Sequence, residues 1–459
     1  VPGGRRVQWT SLPDKGMVVR IPHEEGCPVH LDTRDTNSTD PVPADDHPHG
    51  GIDAPDLRLF VFALFFVFGG ITSLNDVIIP KLKELFTLTY MQAMLVQSAF
   101  FAAYFIVSIP AAGIVRRFGY MRTAALGVAV MAAGCLLFIP ASSSATFAVF
   151  LFALFVLAAG ITTVQVVANP LISLLGPART VHSRLTFAQA FNSLGTTVFP
   201  FFGAVVILGA LPAVLPDVAD SAAVAAYRQQ ETQVIVQTYL ALAAALVVLA
   251  LLVWTRRHRL QENHGGKGIN WLHALGLLKR RRFGFGAACI FLYVGAEVAI
   301  GSLIVNYLMQ ADVMGLQEAA AGKLVALYWG GALVGRFIGA AVLRLVSPGL
   351  VLAAVAAGSI TLIAVASMAH GEAAGWALLA IGLCNSIMFP TIFTLASEKL
   401  GTRAAEGSGL ICVAIVGGAV IPPLTGHLAD LTDLRTALAL PALCYLLIAA
   451  YGVYARRPA

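Results

Sequence analysis

The chain has 459 residues, of which 58% are hydrophobic and 12% charged, with a mean hydropathy of +0.80. Soluble domains carry about 25% charged residues and have no core large enough for this much apolar surface, so the composition excludes a soluble enzyme or binding module and points to a bilayer. The formal net charge of +6 and pI near 9.1 fit basic loops on one side of a membrane better than a nucleic-acid face.

Residues 1–56 stand apart from everything that follows. They are rich in Pro, Asp, His and Gly, show no apolar period, and are expected to form a disordered cytoplasmic tail. No apolar run follows Arg5 and Arg6, so no signal peptide is expected. His47 and His49 read as solvated tail residues rather than as metal ligands.

Twelve apolar blocks follow, at 57–80, 91–115, 121–141, 146–170, 185–209, 234–254, 283–308, 323–344, 349–369, 372–397, 403–426 and 434–455. Their length of about 20 residues is what an α-helix needs to cross the hydrocarbon core. The expected fold is an all-α polytopic membrane protein of twelve transmembrane helices in two pseudo-symmetric six-helix halves. Residues 57–254 form the first bundle, 255–282 a basic linker and 283–459 the second bundle. The end of the linker, Trp271 to Arg282, has the pattern of a short amphipathic helix lying in the interface.

Lys and Arg crowd the loops of one side: Arg116, Arg117, Arg122, Arg179, Arg184, Arg256, Arg257, the run Lys279 to Arg282, Arg344, Lys399, Arg403, Arg456 and Arg457. The other side holds Lys81, Lys83, Arg228, Lys323 and Arg435. This bias places both termini in the cytoplasm; the protein is expected to be a monomer among the lipid of an inner membrane. Five of the six cysteines fall in apolar blocks and there is no CxxC, which leaves them as small hydrophobes.

The halves echo each other. Gly113-Ile-Val-Arg116-Arg117-Phe-Gly119-Tyr-Met-Arg122 in the first resembles Gly335-Arg336-Phe-Ile-Gly339-Ala-Ala-Val-Leu-Arg344 in the second. Gly195, Pro200 and Gly203 parallel Gly418, Pro422, Pro423 and Gly426. Small residues let helices pack closely and mid-span prolines bend them, which makes Pro170 and Pro390 candidate bend points of spans four and ten. Two similar halves are the layout of carriers that rock about a midplane site.

Charges inside spans need a reason, because each costs a few kcal/mol or more in hydrocarbon. Asp76, beside Asn75, fits either a proton or cation site or an interfacial carboxylate paired with Lys81 or Lys83. Glu297 has no basic neighbour in its span and fits either a proton relay or an interhelical hydrogen bond. Arg336 fits an ion pair with Glu297 or Asp76. Gln165 and Asn169 are four apart and share a helix face, as do Gln189 and Asn192 at a spacing of three. Asn306, Asn385 and the aromatic Trp329 complete the set of candidate contacts. Amides and carboxylates beside aromatic rings are what a sugar needs: partners for hydroxyls and a flat plate for its C–H face. Taken singly, each of these residues reads as interhelical glue; their clustering reads as a solute site. No Walker-A loop, HExxH or GxSxG motif occurs, so neither an enzyme nor a bound cofactor or metal is expected.

Several strings resemble the fucose–galactose–glucose:proton symporters of the major facilitator superfamily, and within them the bacterial glucose/galactose transporter branch. They are Leu74-Asn75-Asp76, Ala168-Asn169-Pro170, Leu175-Gly176-Pro177, the run from Arg184 through Gln189 and Asn192 to Gly195, Tyr293 to Ser302, Trp329 to Arg336, and Phe389-Pro390-Thr391-Ile392-Phe393. The resemblance implies import of a hexose, of glucose, galactose, fucose or mannose type, by proton symport and alternating access. In the fucose symporter an Asp on span one and a Glu on span four handle proton and sugar. Asp76 matches the first, whereas Gln165 falls at the second and cannot titrate. The implied roles are therefore proton carriage by Asp76, hydroxyl binding by Gln165, and a replacement carboxylate at Glu297. The basic signature after span two also departs from the superfamily form, since no Asp lies between Gly113 and Arg117; the gate that Arg117 would serve is expected to latch differently. A sodium-coupled or uncoupled sugar carrier and a non-transporting membrane sugar sensor stand as alternatives. The sensor lacks a soluble stretch long enough for an output domain, and drug export would call for a pocket richer in aromatics and Met.

Overall fold

The computed structural model describes residues 55–85, 90–144, 146–209, 221–258 and 274–457, with side chains at 56–73, 99–141, 146–199, 236–258, 274–317 and 320–457. Residues 1–54 of the expected tail, with His47 and His49, lie outside the described residues, and its last two, Pro55 and Asp56, open the first helix. Trp271 to His273 also lie outside the described residues.

All regular structure among the described residues is helical. Hydrocarbon offers no partner for a bare N–H or C=O, so a lipid-embedded chain satisfies its backbone within each segment. The first half consists of α1 (Pro55–Leu85), α2 (Tyr90–Phe118), α3 (Tyr120–Leu136) continued by α4 (Phe138–Ser144), α5 (Phe147–Leu174), α6 (Val181–Gly209) and α7 (Ser221–Thr255). The second half consists of α8 (Arg281–Met309), α9 (Glu318–Val342), α10 (Pro348–Met368), α11 (Glu372–Asn385), α12 (Met388–Ala396), α13 (Ala404–Ala414), α14 (Gly417–Leu431), α15 (Leu434–Ala437) and α16 (Ala439–Ala455). Pairs α11–α12, α13–α14 and α15–α16 are each one span interrupted by a break.

Among the described residues eleven stretches are long and apolar enough to cross a bilayer. The remaining expected span is α6, a helix of 29 residues whose described side chains include His182, Arg184, Gln189 and Asn192. α7 starts at Ser221, well before the expected 234. Over its described residues the linker's expected amphipathic helix is helical at Ala274 and Leu275 and passes into a short 3-10 turn at Gly276–Lys279. Arg280 then turns extended and α8 begins.

The two halves pack by the same device. In the first, a Cβ on Gly195 of α6 would run into the Phe66 carbonyl oxygen of α1; in the second, a Cβ on Gly417 of α14 would run into the Phe291 carbonyl oxygen of α8. Only glycine allows these backbones to touch, and the two contacts join corresponding spans, one to five and seven to eleven.

The halves meet at the basic face. Arg116 at the end of α2 binds Glu406 of α13, which also accepts from Arg403 Nε at 2.7 Å. Ser183 of α6 donates to Ala340 O of α9 at 2.6 Å, and Arg344 Nε reaches Ser183 Oγ at 3.2 Å. His182 contacts Thr394 Oγ1 at 2.5 Å and lies 3.7 Å from Glu398, which Arg282 holds at 2.6 Å. This face is closed.

Candidate functional site

A cavity of about 180 Å³ lies between the halves. It is smaller than the roughly 300–1,000 Å³ of drug-sized ligand sites, which suits a small solute. Phe68, Gly69 and Thr72 of α1, Tyr104 of α2, Gln165 of α5 and Gln189, Asn192 and Thr196 of α6 line it from the first half. Tyr293, Val294 and Glu297 of α8, Arg336 of α9, Phe389 of α12 and Ile415, in the break between α13 and α14, line it from the second.

The first half supplies amides. Gln165 is buried, and Tyr104 donates its hydroxyl to Gln165 Oε1 at 2.8 Å. That bond fixes the amide and leaves its NH₂ as a donor for a guest. Asn192 donates through Nδ2 to the Phe65 carbonyl oxygen at 3.3 Å, which leaves Oδ1 as an acceptor. Gln189 Nε2 donates to Asn169 Oδ1 at 3.4 Å. Asn169 is fully buried behind the cavity wall, and its Nδ2 has no acceptor among the described residues.

The second half supplies a carboxyl and a phenol. Tyr293 has one O–H proton and two acceptors within reach, Glu297 Oε1 at 2.7 Å and the Asn385 carbonyl oxygen at 3.1 Å. With Glu297 ionised, the phenol donates to the carboxylate. With Glu297 protonated, the carboxyl donates to the phenol oxygen, and the phenol turns to the Asn385 carbonyl. Both states of Glu297 therefore find a complete hydrogen-bond arrangement in one geometry. Asn385, itself fully buried, braces this group: its Nδ2 donates to Tyr328 Oη at 2.8 Å, and Tyr328 donates to the Glu297 carbonyl oxygen at 3.3 Å.

Of the two expected partners of Arg336, Glu297 forms no ion pair with it, and the Asp76 side chain lies outside the described residues. The Arg336 Nε donates to the Ser386 carbonyl oxygen at 3.2 Å, and its Nη1 donates to the Gln189 carbonyl oxygen at 3.0 Å and to Ser193 Oγ. Among the described residues the guanidinium thus bridges the halves through neutral acceptors.

The structure gathers Gln165, Gln189, Asn192, Glu297 and Arg336 around one cavity, with Asn169 and Asn385 one layer behind. Asn306 does not join them: it is exposed on α8. Trp329 is 44% exposed and packs beside Tyr328 and Gly301, outside the cavity lining. Trp329 lies seven residues before Arg336 on α9, two helical turns away on the same face as that lining residue. The α1 backbone carries Asn75 and Asp76 one helical turn past Thr72, and their side chains lie outside the described residues. Arg117 is exposed and rests over the Phe118 ring, 5.3 Å from its centroid, so the latch belongs to its neighbour Arg116. Pro170 lies inside α5 without ending it, and Pro390 follows a break at Ser386 and Ile387. Sequence reasoning missed Tyr104, which looks like any aromatic residue of an apolar span, and Glu406, which sits at a span edge where a charge attracts no notice.

A cavity between two six-helix halves, related by corresponding glycine contacts and lined from both, is the plan of one large group of carriers. Residues 61–415 match the family model described as Major Facilitator Superfamily. The chain belongs to the Major Facilitator Superfamily. The resemblance read from the motifs is borne out, and the superfamily makes the chain a membrane transporter, not an enzyme. A Brucella abortus protein named glucose/galactose transporter is 47% identical over 398 residues, spanning 85% of this chain and 92% of the relative. The Escherichia coli L-fucose-proton symporter is 33% identical over 402 residues, spanning 84% of this chain and 90% of the relative. The crystal structure of FucP in the outward conformation superposes on this superfamily member with a TM-score of 0.81 at 30% identity, over 88% of this chain and 99% of that chain.

Proposed function

We propose that this protein imports a hexose, of glucose or galactose type, together with a proton, by alternating exposure of the cavity between its halves. The names of its bacterial relatives support the sugar and, for the fucose symporter, the proton. The observation that carries the reading is the composition of the cavity wall. Amides of Gln165, Gln189 and Asn192 face the rings of Tyr293 and Phe389, and Glu297 is the one carboxylate among the described lining residues. Hydroxyl partners beside aromatic plates suit a pyranose, and a carboxyl whose two protonation states are both accommodated suits a proton carrier.

In this reading Gln165 and Asn192 hold sugar hydroxyls, Asp76 and Glu297 handle the proton, and Arg336 ties the halves while the cavity is occupied. The protein sits in the bacterial inner membrane with both termini and the basic face toward the cytoplasm, so that the closed basic face makes this the outward-open state.

Uptake into proteoliposomes under an imposed pH gradient tests it. The wild-type protein is expected to concentrate labelled glucose or galactose when the outside is acidic. Asp76→Asn and Glu297→Gln are expected to abolish concentration while leaving exchange of internal for external sugar. Concentration driven by a sodium gradient alone, or binding without any uptake, would reject the proton-coupled carrier.

A further inference from the structure

Proline has no N–H, so inside a helix it leaves the carbonyl four residues earlier without its donor. In lipid such a carbonyl must be filled by another group, often a Ser or Thr hydroxyl from a neighbouring helix. Two prolines here occupy corresponding places, Pro170 on span four and Pro390 on span ten. Pro170 lies inside α5 and empties the Val166 carbonyl, whereas Pro390 lies in the first turn of α12, after the break at Ser386 and Ile387, where an N–H has no helical acceptor in any case.

The Val166 carbonyl and the Ser386 carbonyl at the break of span ten are both filled, and both fillings join the halves. Ser408 of α13, fully buried, donates across the interface to Val166 O at 2.9 Å. Arg336 donates to Ser386 O at 3.2 Å and, with its other arm, to Gln189 O and Ser193 Oγ of α6. Span four is thus tied to span eleven directly, and span ten is tied to span five through an arginine. Each tie is adjacent to the cavity: Val166 follows Gln165, and Arg336 is itself part of the wall.

We propose that Ser408 is a positioning residue of the transport cycle: its hydroxyl serves as the missing donor for the carbonyl that Pro170 empties, and it does so only while the halves are closed on the basic face. When the halves part, Val166 O loses its donor beside the cavity. The proline therefore raises the cost of the parted state, and the serine lowers that of the closed one. A proline with an interhelical donor makes span four a two-position element, whereas an ordinary helix would be indifferent to closure. The inference rests on the carrier reading only in taking the halves to part; sugar uptake tests that reading, and a distance between the halves tests this one.

The experiment is a double-mutant cycle of Ser408→Ala and Pro170→Ala. Spin labels are placed at Leu174 and Leu345, exposed residues of the two halves on the basic face, after replacement of the native cysteines. The readout is the ratio of short to long label separations. Ser408→Ala is expected to lower the closed fraction about fivefold relative to the open, the loss of one net hydrogen bond. Pro170→Ala restores an N–H to Val166 O within its own helix, so it is expected to lower the ratio similarly, and the double variant to lie within about twofold of either single one. Multiplied effects, about 25-fold in the double variant, would overturn the proposal, as would no shift in Ser408→Ala. If Ser408→Ala alone does not fold, the double variant is expected to recover folded protein, because Pro170→Ala gives the stranded carbonyl a donor within its own helix; failure of both would equally overturn it.

Discussion

The closed basic face should yield to loss of a single carboxylate. The Glu406 side chain is 1% exposed and accepts from two arginines, Arg116 and Arg403, which are 28% and 23% exposed. Glu406→Gln keeps the volume and one acceptor oxygen but turns an NH₂ toward one guanidinium. One charge-assisted hydrogen bond is lost, a loss of about 1.5–3 kcal/mol. Stranding a fully buried ion would cost about 3–5 kcal/mol, but both arginines reach water and relax, so the lower range applies. Because the bond to Arg116 exists only with the halves together, the loss falls on the closed state: about 2 kcal/mol, or roughly a 30-fold fall in the closed-to-open ratio. Label separation between Leu174 and Leu345 reads that ratio directly. Arg116→Ala should act in the same direction, whereas Arg117→Ala should change it less than about twofold, since the exposed Arg117 lies at the protein surface over Phe118. An unchanged ratio in Glu406→Gln, or a larger effect from Arg117→Ala than from Arg116→Ala, would refute the reasoning.

Three further outcomes follow from the same geometry. Tyr104→Phe removes the donor that fixes Gln165 and should weaken sugar binding about three- to tenfold, the worth of about one hydrogen bond, as measured by equilibrium titration of the purified protein. Gly195→Ala drives a Cβ into Phe66 O and should destabilise the first half by about 1–3 kcal/mol, seen as a lowered unfolding temperature in detergent. Asn306→Ala should leave sugar affinity within about twofold of wild type in the same titration, because its exposed side chain does not line the cavity.

The architecture was legible because the bilayer imposes it. An apolar run of about 20 residues has few other uses, and twelve of them in two echoing sets define the halves. The breaks within spans ten and eleven were not legible, since an apolar run reads the same whether its helix continues or stops at Ser386 or Ile415. Gln165, Gln189 and Asn192 could be found because an amide in hydrocarbon demands a partner. Asn306 lies outside the lining for the same reason: polarity says that a residue needs a partner or water, and near the end of a span water is at hand. Tyr104 stayed hidden because an aromatic ring is ordinary in an apolar span and only its hydroxyl marks it as a partner of Gln165. Arg116 and Arg117 are adjacent and chemically identical; the step of about 100° between neighbours on a helix decides which of them meets Glu406, and sequence alone does not give the helix rotation. The departure at the basic signature was legible as an absence, but the residue that compensates for it, Glu406, lies in the other half.

The central claim is that one solute is gripped at once by amides of the first half and by the phenol–carboxyl group of the second. A high-resolution structure of the protein with bound glucose or galactose tests it most directly. The account predicts pyranose density in contact with Gln165 and Asn192 on one side and with Tyr293 or Glu297 on the other. Density resting on one half alone, or lying outside this cavity, would contradict it.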